Sequence, residues 1–458
     1  MINLANLDWD NYPYDINSCV SDYITWNDLI LTVLHKNPSG TYKSNVYIND
    51  DECYVGEGAG KNITSGSGIG NTLIGHDAGN DLTTGDYNTL IGMEALADEA
   101  DVDNCVFIGY QAGKANSVNA VIGIGSGALV AGSGIYTTVI GHNAVSKGLT
   151  GQGITAMGYE AGLELLAGAN CTLIGFRAGK DDTSGYNNTA IGAYSGESFT
   201  TGDFNTGIGY GSLRSATGGG GNTGLGCDAG GSATATISNC VYVGKEAGKN
   251  NTQSNIVAIG YHALISNVGA GNTAVGHQSM NGAIAAPGNH NTAFGFSTLR
   301  TNTTGYANTA LGGQALTSNT TGYSNSGIGY RALFDNTTGN NNTAIGYKAG
   351  DEATATISGC VYLGYDAGSD NTVANTLWIN NSNSAFPLIQ GDFANDTVRF
   401  GDNSAAWNVQ FVNSTLHLKE RAEATAIANY GCIWAEADNT LHFKDGAGVE
   451  YFIDITPV

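Results

Sequence analysis

The sequence predicts an all-β protein: a parallel β-roll or β-solenoid of about 20 coils with a period of about 17 residues, trimeric, with a small C-terminal β domain. Three observations predict this class. A short phrase, written "NTAIGYKAG" at residues 342–350, recurs at nearly constant spacing over some 325 residues. Glycine accounts for 68 of 458 residues, about twice its usual share, which indicates many tight turns. Hydrophobic residues reach 41% and charged residues only 12%, which excludes the charge-rich disordered class.

The repeat is measured from the glycine that follows each apolar pair, here called the anchor glycine. Nineteen copies have this glycine, and Asn380 takes its place in a twentieth. Ten of the nineteen intervals are 17 residues long, and the others are 16, 18 or 19. Such a period is typical of a solenoid, in which each coil stacks on the next. The anchors are Gly56, Gly75, Gly92, Gly109, Gly125, Gly141, Gly158, Gly175, Gly192, Gly209, Gly226, Gly244, Gly260, Gly276, Gly295, Gly312, Gly329, Gly346 and Gly364.

The columns of the repeat predict its local structure. Alternation in "NTAIG" predicts a short strand, and a 17-residue coil leaves room for two strands of about four residues. The apolar residue before the anchor is predicted to be the repeat core, at Ile74, Ile91, Ile108, Ile140, Ile174, Ile191, Ile208, Ile259, Ile328 and Ile345. The anchors are predicted to serve turns with positive φ or a close approach of two backbones, as at Gly75, Gly92, Gly109, Gly175, Gly192, Gly312, Gly329 and Gly346.

A single coil is too thin to bury its own apolar column. Packing identical rolls side by side around a symmetry axis is the simplest remedy, because the isoleucine column is then covered by copies of itself. We therefore expect a homotrimer, although periodicity alone also permits a dimer. A longer echo, "ATATISNCVYVGKEAG" at 233–248 and "ATATISGCVYLGYDAG" at 353–368, indicates duplication of a block of seven coils.

The two ends of the chain lack the repeat. Residues 1–50 are predicted to be either a cap over the first coil or an attachment segment, and residues 51–380 form the array. Residues 381–458 alternate as strands in hairpins, which predicts a β-rich trimerisation or tip domain. In a tip, the candidate receptor contacts are Trp407, Tyr430, Trp434 and Tyr451.

The phrases "NTAIGYKAG" and "NTALGGQAL" resemble the head repeat of trimeric autotransporter adhesins, which implies a trimer of parallel β-rolls with the isoleucine column facing the threefold core. The period here is longer than in that family. The chain is more similar to fibre proteins of tailed bacteriophages, since the array is followed by "NTLWINNSNSAFPLIQGDF" at 375–393. This resemblance implies a tail fibre or comparable virion appendage, assembled in the host cytoplasm and acting at the extracellular host surface.

A fibre of this kind implies a structural and adhesive role without enzymatic activity. Its expected partners are further copies of itself, other virion tail or baseplate proteins, and a host cell-surface glycan or protein receptor. Two alternatives remain open: a bacterial cell-surface trimeric adhesin or extracellular filament subunit, and a polysaccharide depolymerase tailspike. The absence of a secretory signal in residues 1–15 favours the virion. The net charge of −23 argues against nucleic acid, and the apolar stretch "LILTVLH" is too short for membrane insertion.

No motif predicts a catalytic residue, a cofactor or a bound metal. The strings "GEGAGK" at 56–61 and "GKEAGK" at 244–249 lack the spacing of a phosphate-binding loop and recur with the period, so we interpret them as turns. Aspartates such as Asp86, Asp181, Asp182 and Asp203 fall in turns, but the nonapeptide of calcium-binding β-rolls is absent. The eight cysteines predict reduced, structural thiols, because none shows metal-ligand spacing.

Two further columns have a recognisable chemistry. Cysteine replaces asparagine four residues before the anchor at Cys105, Cys171, Cys240 and Cys360, which predicts small buried hydrophobic side chains. The residue after the anchor is often aromatic or histidine, which predicts either packing at the coil corner or a repeated surface for stacking sugars. The members of this second column are Tyr110, Tyr159, Tyr210, Tyr261, Tyr330, Tyr347 and Tyr365, with His76, His142 and His277.

Overall fold

The structure, a computed structural model, describes residues 34–36, 42–44, 46–48, 52–64, 67–99, 101–233, 236–266, 269–282, 288–382, 387–400, 432–435, 440–444 and 449–454. The chain divides into two compact units, Met1–Arg399 and Phe400–Val458. All regular structure in the described residues is β, and they contain no helix.

Thirty short strands make up this β structure. They are β1 (Leu34–Lys36), β2 (Tyr42–Ser44), β3 (Val46–Ile48), β4 (Cys53–Val55), β5 (Thr72–Ile74), β6 (Thr89–Ile91), β7 (Val106–Ile108), β8 (Ala115–Asn116), β9 (Ile122–Ile124), β10 (Ala131–Gly132), β11 (Thr138–Ile140), β12 (Thr155–Met157), β13 (Thr172–Ile174), β14 (Thr189–Ile191), β15 (Thr206–Ile208), β16 (Thr223–Leu225), β17 (Val241–Val243), β18 (Val257–Ile259), β19 (Thr273–Val275), β20 (Thr292–Phe294), β21 (Thr309–Leu311), β22 (Ser326–Ile328), β23 (Thr343–Ile345), β24 (Val361–Leu363), β25 (Thr376–Ile379), β26 (Ile389–Asp392), β27 (Thr397–Phe400), β28 (Cys432–Ala435), β29 (Thr440–Lys444) and β30 (Glu450–Asp454).

The first unit is a parallel β-solenoid of about 19 turns, which confirms the predicted fold of the array. Each strand from β4 to β25, apart from the short β8 and β10, pairs in parallel with the strand one coil away. The register is constant along the stack: Thr172, for example, pairs with Thr189, and Ile174 with Ile191. At the two ends the pairing becomes antiparallel, between β3 and β4 and between β25 and β26.

Most coils in the described residues contain one strand of three residues, and only two coils add a second strand, the two-residue β8 and β10, so the prediction of two four-residue strands per coil was wrong. The coil that runs from Gly175 to Gly192 is described throughout, and its only strand is Thr189–Ile191. The rest of this coil is bent by left-handed residues such as Arg177 (φ 55°) and Asn187 (φ 58°). These turns still bond to the neighbouring coils, since the N–H of Asn187 donates to the carbonyl of Ala169 at 2.9 Å. Backbone groups are therefore satisfied without a second strand.

The apolar core is a narrow column inside the coil. The residue two before the anchor is buried throughout the stack, from Leu73 and Leu90 near one end to Tyr362 near the other. The small residue three after the anchor, such as Ala78, Ser195 or Ala349, lies opposite it and is also buried. Larger side chains at other positions of the coil, such as Leu82, Phe199 and Leu316, fill the rest of this interior and are also fully buried.

A ladder of buried asparagines adds a polar column, four residues before the anchor. The side-chain oxygen of Asn188 accepts the N–H of Asn205 in the next coil at 2.9 Å. Its side-chain nitrogen donates to the carbonyl of Gly202 at 2.7 Å, so one amide serves a strand and a turn of the following coil. The pattern continues through Asn222 and again from Asn272 to Asn342. These bonds satisfy backbone groups that would otherwise be buried without partners.

The anchor glycines and the turn glycines meet two different steric demands. Gly312 has φ 121°, and a Cβ at this position would lie 2.7 Å from the carbonyl oxygen of Gly329 in the next coil. The eight anchors predicted as turn glycines all have φ between 121° and 142°. The glycine of the "TTG" turns is not in the left-handed region; at Gly322 a Cβ would lie 2.5 Å from the carbonyl oxygen of Gly339. That glycine is required by two close approaches, of the next coil and of the Asn319 side chain in its own coil.

The second unit contains the three-stranded antiparallel sheet β28–β29–β30. Trp434 pairs with His442, and Phe443 with Tyr451. The predicted receptor contacts Trp434 and Tyr451 therefore stand in different cross-strand rows of one sheet. Trp407 and Tyr430 lie outside the described residues.

Candidate functional site

The strand face of the solenoid presents an uncharged surface to the outside of the single chain. Side chains alternate along a strand, so burial of the residue two before the anchor turns its two neighbours outward. The first neighbour is usually threonine and the second is the predicted core isoleucine; neither column contains a charged residue. Of the ten isoleucines, Ile74, Ile208 and Ile345 are 37%, 36% and 44% exposed, and the other seven are half-buried. The interior of the chain is filled instead by the leucine, alanine or tyrosine one residue earlier.

Aromatic side chains form a second outer column directly beyond the anchor. The rings of His142, Tyr159 and Phe176 follow one another with centroids 5.4 and 5.2 Å apart and planes within 9° of parallel. A second stack, of Tyr330, Tyr347 and Tyr365, has spacings of 5.5 and 5.1 Å. Parallel rings this close must overlap through their faces. Sugar binding to an aromatic side chain needs a free ring face, so this geometry favours the packing interpretation over a repeated sugar platform.

The isoleucine and aromatic columns lie side by side, separated only by the anchor glycine. Together they form what we call the apolar stripe, which follows the coils from Ile74 to Tyr365. The isoleucine column is apolar throughout, whereas the aromatic column is interrupted by Ser126 and by the charged Lys245. Its largest side chains are well exposed, with Phe294 at 53% and Phe296 at 52%. Soluble monomers rarely expose continuous apolar patches above a few hundred Å². The apolar stripe is therefore a candidate contact surface.

Charged groups lie away from the isoleucine column and pair between neighbouring coils. Arg177 Nε lies 2.9 Å from Glu160 Oε2, and Arg214 Nε lies 2.8 Å from Glu197 Oε2. Lys114 Nζ lies 2.6 Å from Glu94 Oε2, and this hydrogen bond lowers the pKa of the Glu94 carboxyl group. Pairs this exposed contribute little stability each.

The turn aspartates have structural partners. Asp86 Oδ1 accepts the N–H of Ile69 at 2.7 Å, and Asp203 Oδ1 accepts the N–H of Tyr186 at 2.8 Å. Asp182 is fully buried, and burial raises the pKa of its carboxyl group to about 6. Within the described ranges, no group of three or more His, Cys, Asp or Glu side chains is arranged to hold a metal ion.

The cysteines of the asparagine column are buried, as their position predicts. Cys171 Sγ lies 3.3 Å from the carbonyl oxygen of Gly185, where an asparagine would otherwise donate. Burial raises the pKa of the Cys171 thiol to about 12. Every cysteine whose side chain the structure describes is free; Cys227 alone among these is exposed.

The interval between Gly276 and Gly295 keeps the usual pattern in its described part, with His290 left-handed (φ 55°) and Asn291 in the buried ladder. Pro287 lies outside the described residues.

A cleft of 290 Å³ opens at the C-terminal end of the solenoid, between the last coil and the strands that follow it. Sequence reasoning did not identify it, because its walls come from segments that are separate along the chain. Trp378, Gln390 and Asp392 belong to the antiparallel pair β25–β26, in which Trp378 lies opposite Gln390. Asp370 comes from a turn of the same coil, ahead of β25, and Arg399 comes from β27. One feature of the sequence could have pointed to this cleft: Trp378 is the only tryptophan that stands two residues before an anchor position.

The described part of the chain contains no helix long and apolar enough to cross a membrane. Comparison of the chain with protein-family models, with curated proteins and with solved structures gave no match in any of the three.

Proposed function

We propose that this protein is a structural and adhesive fibre of a virus particle, of the bacteriophage tail-fibre type. In this role a rigid homotrimeric rod holds an attachment surface away from the particle and presents it to the host cell. The observation that carries the proposal is the apolar stripe on a stack of about 19 turns. At about 4.8 Å per coil, the stack spans about 90 Å.

A second copy of the same chain is the partner that suits the apolar stripe. A partner covering the stripe along its length must repeat every 4.8 Å or so, and an identical chain does this in register. The threonine and isoleucine columns contain no charge, so copies of a chain with net charge −23 can meet there without bringing acidic groups together. In a trimer, the three copies of the apolar stripe would meet around a common axis and cover one another. In a dimer, two faces would cover the isoleucine columns but leave the aromatic columns at the margin of the interface.

The proposed partners at the ends of the rod are virion tail or baseplate proteins on one side and a host-surface glycan or protein on the other. Three copies of each contact would multiply weak individual affinities. We propose that the protein has a structural role and does not act as an enzyme. The protein would be assembled in the host cytoplasm and act on the virion.

Two experiments test the proposal. Negative-stain microscopy and light scattering of the purified chain should give a trimeric rod, and a monomer would contradict the fibre model. Antibodies against the chain should label virus particles from a lysed host culture, and the purified trimer should compete with those particles for host cells. Labelling of the envelope of uninfected cells would instead support the cell-surface adhesin.

A further inference from the structure

We propose that the cleft at the C-terminal end of the solenoid is a saccharide-binding site that takes one or two pyranose residues of a host-surface glycan. This inference rests on the proposed attachment function and gives it a place and a ligand class. The volume of 290 Å³ is at the small end of ligand pockets, which suits a short saccharide segment and not a folded partner.

The antiparallel end of the stack puts the required side chains on one face. In the pair β25–β26, Thr376 lies opposite Asp392 and Trp378 opposite Gln390. Residues two apart on a strand share a face, so these four side chains form two adjacent rows. Within the stack such an arrangement does not form, because there the next parallel strand adds another copy of the same column.

Trp378 supplies an aromatic surface with a fixed orientation. It occupies the core column, packs partly buried against that core, and is the last member of the column before the pairing changes direction. Its indole Nε1–H donates to Thr376 Oγ1 at 3.2 Å, which holds the ring plane. The C–H face of a pyranose can pack on such a ring, unlike on the stacked aromatic column, whose ring faces cover one another.

Polar groups around the ring are available for hydroxyl groups. Asp370 is exposed, and the side chains of Asp370 and Gln390 form no hydrogen bond or ion pair with other described residues. Asp392 accepts the N–H of Ala394 at 3.0 Å and the side-chain nitrogen of Asn395 at 2.7 Å. The Asn395 hydrogen bond lowers the pKa of the Asp392 carboxyl group, so it remains an ionised acceptor in a fixed position. Arg399 adds a donor at the rim.

The balance of charge selects the ligand class. Two carboxylates face one guanidinium in this cleft, which disfavours phosphate and other anions. Hydroxyl groups can donate to Asp370 and Asp392 and accept from Gln390 and Arg399. The geometry thus fits a neutral hexose or amino sugar better than a nucleotide or an acidic glycan.

The test is titration of the full chain labelled with 5-fluorotryptophan, followed by fluorine NMR. The chain has five tryptophans, and Trp378→Phe identifies the resonance of Trp378. The probes are glucose, galactose, N-acetylglucosamine and fragments of a bacterial surface polysaccharide. We expect at least one probe to shift the Trp378 resonance with a Kd of about 1 mM, as is usual for so small a ligand.

Two variants locate the binding and one serves as a matched control. Asp370→Ala and Gln390→Ala should each weaken the best probe about 5- to 10-fold, since each removes one hydrogen bond. Glu352→Ala, which removes another exposed carboxylate outside the cleft, should leave the affinity unchanged. Far-ultraviolet circular dichroism confirms that the variants fold.

Failure of the inference and failure of the proposed function are distinguishable. If no probe moves the Trp378 resonance at about 50 mM, far above the expected Kd, the cleft is not a saccharide site. The same conclusion follows if Asp370→Ala and Gln390→Ala bind as well as the parent chain. If the full chain still binds host cells, attachment takes place at another surface of the protein and the proposed function stands. If the chain binds neither the saccharide probes nor host cells, the proposed function is overturned as well.

Discussion

The side-chain oxygen of Asn308 accepts the backbone N–H of Asn325 at 2.9 Å, and through this bond one coil fixes the position of the next. The other end of the same amide donates to the carbonyl of Gly322 at 2.8 Å. Loss of this amide would leave the buried N–H of Asn325 without its partner, whereas the carbonyl of Gly322 would keep its second donor, the side-chain nitrogen of Asn319 at 2.9 Å.

Asn308→Ala should therefore lower the free energy of unfolding by about 1–3 kcal/mol. Asn308→Cys should cost less, because cysteine already occupies this column at four other coils. Urea unfolding followed by circular dichroism provides the measurement. Equal stability of the parent and Asn308→Ala would mean that water replaces the amide.

Gly312→Ala and Gly313→Ala form a matched pair of neighbouring substitutions. Gly312 has φ 121° and a carbonyl oxygen 2.7 Å from the site of a Cβ, whereas a Cβ at Gly313 meets only the Tyr330 ring at 3.4 Å. The first substitution should cost about 3 kcal/mol or more, and the second less than about 1 kcal/mol. Thermal unfolding of the two variants checks this difference. Similar melting temperatures would contradict the close approach of the coils at the anchors.

Asp182 should make the stability of the solenoid depend on pH. Its pKa is raised from 3.8 to about 6 in the folded chain, so the folded state binds the proton more tightly than the unfolded state. Stability from this group is therefore fully present below about pH 4 and is lost as the pH rises to about 6, by about 2–3 kcal/mol.

Asp182→Asn should remove this loss and stabilise the protein at pH 7. Asparagine fits the position, since Asn302, Asn319 and Asn336 occupy it in later coils and are buried there. Asp181→Asn is the control, because that neighbouring carboxylate is partly exposed and pairs with Lys180. Urea midpoints measured from pH 4 to pH 8 should separate the two variants. A parent chain whose stability does not fall over this range would contradict a raised pKa.

Ile345→Asp tests the apolar stripe as a subunit contact. Ile345 is 44% exposed in the single chain, so a charge there costs little unless another copy covers it. We expect the proposed trimer to dissociate in this variant at concentrations where the parent chain stays assembled, as measured by sedimentation. Thr338→Asp, on an exposed "TTG" turn, should remain assembled. Unchanged assembly of Ile345→Asp would exclude the stripe from the interface.

Cys171 and Cys227 should differ in reactivity toward iodoacetamide. Burial raises the pKa of the Cys171 thiol to about 12, while Cys227 is exposed. At pH 8 and in the folded chain, peptide mass mapping should find Cys227 modified and Cys171 intact. Both should react in guanidinium chloride. Early modification of Cys171 would indicate that its coil opens locally.

The number of coils, their parallel stacking and their register were all predictable, because the period and the anchor column are explicit in the chain. The single strand found in most coils was not predictable from the sequence. It results from left-handed backbone at residue types that rarely adopt this conformation, such as Leu316 (φ 51°) and Tyr87 (φ 58°). Neighbouring coils impose this conformation, and its cost is offset by the bonds between coils. The position of the isoleucines was ambiguous for a related reason: alternation identifies two faces of "NTAIG" but does not say which one lies inside.

The cleft shows a different limit of sequence reasoning. Trp378 and Gln390 come together through the reversal of strand direction at β26, and no repeat pattern extends to that point. Periodicity therefore predicts what recurs and gives no information about a junction that occurs once.

The repetition of the segment 233–248 at 353–368, seven coils later, has a consequence for the length of the solenoid. Each segment buries a cysteine and a tyrosine, Cys240 and Tyr242 in the first and Cys360 and Tyr362 in the second. An asparagine three residues beyond each segment, Asn251 or Asn371, donates to the tyrosine hydroxyl oxygen. Because each coil touches only its two neighbours, a block of seven can be gained or lost without altering either terminus. Each such event would lengthen or shorten the solenoid by about 34 Å, so in the proposed fibre unequal recombination would change the reach of the rod while the residues at both ends stay the same.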